Sequence, residues 1–179
     1  MERQELADKL SSLMRLDQDA ARAYTKAIEN LKRRDLRDSL RRFQADHERH
    51  AEGYRSMIRA PSAEALEPAA DARGVFLEGM TAIQSKIGEW SALKACETGE
   101  KYVNYKYDQV ANEDFPPDVR SMIESNYADE KRHLSDIQKR LQVAPSRRRG
   151  RAIGLGALGL AAGVVIWRQM AARERSHPS

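Results

Sequence analysis

The sequence predicts an all-α fold: two helical hairpins joined by a long crossover into a four-helix bundle, followed by a C-terminal membrane helix. Three observations predict it. Ala, Arg, Leu and Glu dominate the composition, and no long β-branched alternating run appears, so helices are favoured over sheet. Polar residues recur at one fixed offset along the chain, as expected of a duplicated hairpin. An uncharged, mostly apolar stretch stands near the end.

The repeat centres on Asp46-His47-Glu48-Arg49-His50 and Asp129-Glu130-Lys131-Arg132-His133. An acid precedes each terminal His at the same distance, Asp17 before His50 and Glu100 before His133. Each acid is followed two turns later by a tyrosine, Tyr24 and Tyr107. In order, residues 3–33 read as a first helix with Leu6, Leu10, Leu13, Ala20, Ala27 and Leu31 in one apolar stripe. Lys32-Arg33-Arg34-Asp35 reads as a stop and restart, with Asp35 capping a second helix from Leu36 to about Arg59. Leu40, Phe43, Tyr54 and Ile58 anchor that helix, and the short join makes an antiparallel hairpin over 3–59.

Pro61 and Pro68 open a crossover over 60–90, which carries a glycine-weakened helix with Val75, Phe76, Met80, Ile83, Ile87 and Trp90. Ser91 reads as the cap of a third helix, from about Ala92 to Ala111. Phe115-Pro116-Pro117-Asp118 ends the connection, with Pro117 able to begin a fourth helix that runs to about Val143. The bundle thus occupies residues 1–144, with its second hairpin at 91–143.

A basic linker, 145–151, leads to a predicted transmembrane helix at 152–170 and a polar tail at 171–179. Ala152 to Trp167 would span roughly 24 Å as a helix against a hydrocarbon core of about 30 Å, with Arg151 and Arg168 able to snorkel. An interfacial helix or a pairing segment outside lipid fits the same stretch. Gly159 and Gly163 form a Gly-x-x-x-Gly step that permits pairing of helices, so a homo-oligomer through the tail or the bundle is expected. Arg147, Arg148, Arg149 and Arg151 precede the span, which predicts a body facing the cytoplasm and anchored by this helix.

Charge divides along the same boundary. The net charge is +4, yet the chain from Pro145 onward holds seven Arg against one Glu, leaving 24 basic and 26 acidic side chains in residues 1–144. A mildly acidic body argues against nucleic-acid binding. Cys96 is the one cysteine, so an internal disulfide and a cysteine metal cluster are excluded; it reads as a small packed residue.

The duplicated spacing fits a metal site inside a bundle. Two helices give one carboxylate each and two give pairs at i, i+3, which point the same way. The candidate ligands are Asp17, His47, His50, Glu100, Glu130 and His133, and the only three His of the body are among them. Glu130-Lys131-Arg132-His133 fits the Glu-x-x-His pattern fully; in His47-Glu48-Arg49-His50 a His takes the place of the Glu. Tyr24 and Tyr107 are candidate hydrogen-bond partners of the ligands or redox-active groups. Glu97 reads as a polar flank. The same residues also fit surface pairs at i, i+4, Asp46 with His50 and Asp129 with His133.

Together these features resemble the ferritin-like superfamily. More narrowly, Leu93-Lys94-Ala95-Cys96-Glu97-Thr98-Gly99-Glu100, Tyr107, Phe115-Pro116-Pro117-Asp118-Val119-Arg120 and Tyr127, with Asp17-Gln18-Asp19 and Tyr24, resemble an uncharacterised bacterial ferritin-like domain family, DUF2383. The likeness covers about residues 6–143 and leaves the tail as an added anchor. It implies a ferritin-like four-helix bundle in which Glu100, Glu130, His133 and His50 match metal ligands and Asp17 matches with a shorter side chain. His47 stands where a bridging Glu is expected. The implied cofactor is Fe or Mn, with Zn also compatible. The expected function is a membrane-tethered metal-binding protein that handles iron or peroxide, whether or not it is an enzyme. The alternative is a non-enzymatic helical scaffold or stress protein at the membrane.

Overall fold

A computed structural model describes residues 1–58 and 88–143. Four helices make up this part: α1 (Arg3–Glu29), α2 (Arg34–Ile58), α3 (Glu89–Val110) and α4 (Pro117–Val143), with no strand among the described residues. Residues 59–87, which hold most of the crossover expected at 60–90, and the expected span at 152–170 lie outside the described residues; Trp90, expected in the crossover helix, lies in α3 instead. Among those described, no helix is long and apolar enough to cross a membrane.

Each helix buries a stripe with alternating steps of three and four. In α2 the stripe is Leu36, Leu40, Phe43, His47, His50 and Tyr54; in α4 it is Val119, Ile123, Asn126, Glu130, His133 and Ile137. Taken in order, every pair in these two rows has the offset that separates His50 from His133, so the duplication is a repeat of the core face. In α1 and α3 the equivalent rows are Leu10, Leu13, Asp17, Ala20, Tyr24 and Leu93, Cys96, Glu100, Val103, Tyr107. Such stripes let helices pack side by side with their seams toward a shared axis. Helix α1 packs mainly on α2, and α3 on α4; α1 also lies along α3, and α2 meets α4 more sparingly. Between α2 and α4, Gly53 allows a close approach: a Cβ there would lie 3.0 Å from Met122 Sδ.

The helix ends differ from expectation where a side chain settles the matter locally. Asn30 closes α1 at Glu29, short of Arg33, its Nδ2 donating to the Lys26 carbonyl at 2.9 Å. Leu31 then turns into the core, and Glu89 Oε1 accepts the backbone N–H groups of Lys32 and Arg33 at 2.6 and 2.5 Å. Asp35 lies in the first turn of α2 and pairs with Arg33 instead of capping. Gly88, in extended conformation, precedes α3, so Ser91 is inside that helix. Pro117 begins α4 as expected.

The apolar core falls into two clusters. One gathers Leu31, Leu36, Leu40, Phe43, Leu93 and Ile137. The other gathers Leu10, Leu13, Val103, Phe115, Val119 and Ile123. Asp17, His47, His50, Glu100, Glu130 and His133 sit near the middle of their helices. Burying ionisable groups there is costly unless each finds a partner.

Candidate metal centre

All six residues singled out by spacing are buried, each no more than 2% exposed. They form two overlapping groups whose ligand atoms lie within 4.8 Å of one another: Asp17, His47, His50 and Glu130, and His47, Glu100, Glu130 and His133. His47 and Glu130 belong to both. The buried groups can hold a metal ion.

His47, in the position of the expected bridging Glu, lies between the acids of both hairpins. Its Nδ1 is 2.8 Å from Asp17 Oδ1, and its Nε2 is 3.2 Å from Glu100 Oε1. Burial alone would lower its pKa, but the Glu130 charge and contacts with Asp17 and Glu100 outweigh burial and hold it well above the ordinary value. For His50 the Asp17 and Glu130 carboxylates likewise overcome burial, and the imidazole is pushed up to about 9. Burial would raise Glu130; the His47 charge and the neighbouring imidazoles hold it below the usual carboxylate range instead. Glu100 moves the other way, up, because burial and the Glu130 charge exceed what His47 and His133 offset.

The partners of these ligands cross between hairpins. His50 Nε2 lies 3.2 Å from Asp129 Oδ2, and His133 Nε2 lies 3.0 Å from Asp46 Oδ2. Tyr24 donates to Glu100 Oε1 at 2.5 Å, and Tyr107 donates to Asp17 Oδ2 at 2.7 Å. Arg49 and Arg132 clasp both aspartates at the surface: Arg49 reaches Asp46 and Asp129, and Arg132 reaches Asp129 and Asp46. A carboxylate on the far nitrogen of a ligating imidazole fixes which nitrogen faces the metal. Asp46 and Asp129 therefore do not pair with His50 and His133 of their own helices, as spacing at i, i+4 had allowed. Both tyrosine hydroxyls do contact the acids, and each serves the acid of the other hairpin.

Tyr54, read only as an apolar anchor, donates to the Tyr107 hydroxyl at 3.1 Å and extends the hydrogen-bonded chain away from Asp17. Its signal was weak, because its counterpart in the second hairpin is Ile137. Glu97 is a flank, held by Lys94 and Lys101 at 2.5 and 2.9 Å. Cys96 is buried, and burial raises its thiol pKa, which disfavours the nucleophilic thiolate.

Six buried side-chain atoms among the described residues lack a hydrogen-bond partner, and four of them lie here: Glu100 Oε2, both Glu130 oxygens and His133 Nδ1. Buried polar atoms are nearly always satisfied, so a cluster of such atoms left over in the buried middle of the bundle is what a cation would complete. This donor set of carboxylate oxygens and imidazole nitrogens suits divalent transition ions.

A family model described as a domain of unknown function (DUF2383) matches residues 5–113. No curated protein matches the chain.

Proposed function

The chain belongs to the DUF2383 family, and we propose that it is a ferritin-like metal-binding protein that handles iron or peroxide at a membrane. The observation that carries the proposal is the convergence of three buried carboxylates and three buried imidazoles in the middle of the bundle. A bound iron or manganese ion would supply a Lewis acid and a redox couple there. The chain's own contribution is positional. Asp17, Glu100 and Glu130 supply negative charge, His47, His50 and His133 supply nitrogens, and the two apolar clusters exclude bulk water. Tyr24 and Tyr107 hold protons one hydrogen bond from the acids, with burial and the Glu100 and Asp17 charges, respectively, keeping both hydroxyls protonated. The apolar stretch from Ala152 to Trp167 supports attachment to the membrane, with the body on the cytoplasmic face.

Metal analysis tests the reading directly. Protein purified without an affinity metal should carry bound iron or manganese, and should speed oxidation of ferrous iron or consumption of peroxide. A full chain that takes up no metal under metal-replete conditions would sink the proposal. Full-length protein should stay with membranes through a carbonate wash, and its release would remove the anchor.

A further inference from the structure

We propose that the centre holds one divalent transition ion, not a bridged pair, and that its ligands are His47, Glu100, Glu130 and His133. The inference rests on the metal-binding reading above and goes on to the number and place of the ions.

The two overlapping groups are not equally prepared. In the group containing Asp17, both oxygens of that acid are engaged, Oδ1 by His47 at 2.8 Å and His50 at 3.4 Å and Oδ2 by Tyr107 at 2.7 Å, which leaves only the shared Glu130 with open oxygens. In the group containing Glu100, Oε1 is engaged by Tyr24 and Oε2 has no partner. Its neighbours match it. His133 Nδ1 has no partner and lies 3.9 Å from Glu100 Oε2 and 3.6 Å from Glu130 Oε2, itself unpartnered. Bonds of about 2.1 Å around one ion separate adjacent ligand atoms by roughly 3–3.5 Å, so small side-chain movements suffice. His133 is already turned for the task, because Asp46 occupies its Nε2 and leaves the Nδ1 lone pair facing inward.

His47 completes the set and limits it. A neutral imidazole has one donor nitrogen and one acceptor nitrogen. Asp17, 2.8 Å from Nδ1, accepts that N–H, which leaves Nε2 to face Glu100 and the ion. Once so committed, His47 has no lone pair for a second ion beside Asp17 and His50. Its counterpart Glu130 has two oxygens and could bridge; His47 cannot. Charge agrees. Two divalent ions would leave the three buried carboxylates one positive charge in excess. A single ion leaves one negative charge, shared by carboxylates that already accept the Tyr24 and Tyr107 hydroxyls. Asp17 and His50 are then positioning residues, Asp17 through His47, and His50 beside Glu130 Oε1 at 3.0 Å.

Titration of the full chain with zinc chloride or manganese(II) chloride, followed by calorimetry and elemental analysis after gel filtration, tests this. The unaltered chain should bind one ion. Glu100→Gln and His133→Gln should weaken binding at least 100-fold, and His50→Gln less than 10-fold, with helical circular dichroism retained. His47→Glu should admit a second ion. Two ions per unaltered chain would overturn the inference and leave the metal reading standing, as would a His50→Gln loss equal to that of His133→Gln. A His47→Glu chain that still takes one ion would overturn the role of His47. An unaltered chain that takes neither metal would overturn the metal reading itself. The stoichiometry of the unaltered chain decides the matter even where a variant does not fold.

Discussion

The two hairpins share a skeleton and differ in chemistry at a few matched positions. Leu40 and Ile123, His50 and His133, Tyr24 and Tyr107 are interchangeable in place and burial. His47 corresponds to Glu130, Phe43 to Asn126, and Tyr54 to Ile137. The first hairpin's acid, Asp17, is saturated by hydrogen bonds, whereas the second hairpin's acids keep free oxygens. A near-symmetric scaffold thus carries an asymmetric centre: residue types differ at equivalent positions, and the first hairpin packs more extensively than the second.

The sharpest way to break this comparison is to remove an acid that both groups share. Glu130→Ala should abolish measurable metal binding and cost about 3–5 kcal/mol in chemical denaturation, because the imidazoles around it lose their buried counter-charge. Undiminished stability would mean that the four central helices do not depend on this acid.

A smaller effect separates the two tyrosines. Tyr24→Phe and Tyr107→Phe each withdraw a hydroxyl from a buried carboxylate, at about 1–3 kcal/mol apiece. Tyr107→Phe should cost more, because it also removes the acceptor of the Tyr54 hydroxyl. Equal denaturation midpoints for the two variants would remove this distinction between the halves.

The smallest effect is a dependence on pH. In protein stripped with a chelator, His50 is raised from 6.5 to about 9, so the stability it contributes is complete below about pH 6.5 and is lost as pH rises through 9. Glu130, held low, contributes above its ordinary value of 4.5 and loses that contribution on acidification. Thermal midpoints of the stripped protein should therefore fall between pH 7 and 10, and less so in His50→Gln. A midpoint that does not change over this range would exclude His50 as the source.

Much of this arrangement was legible in the chain because helical periodicity and the hairpin repeat are both written in residue types. Asp17, His47, His50, Glu100, Glu130 and His133 occupy stripe positions, and a stripe must face the core. What periodicity does not encode is which neighbour a stripe residue meets. Asp46 and His50 are one turn apart on α2, so spacing suggested a local pair, while the fold gives each to the opposite hairpin. Helix ends were less legible for a similar reason: Asn30 and Gly88 decide them by backbone bonding and conformation, which compete with longer apolar patterns.

The crossing of partners has a consequence for how the protein comes together. Asp46 serves His133, Asp129 serves His50, and the tyrosine of each half serves the acid of the other. Neither half is self-sufficient, so the proposed ion site would be incomplete in a nascent chain that has formed only α1 and α2. Binding would then report that both halves have arrived and docked, and fragments covering 1–58 and 88–143 should regain it only on meeting each other.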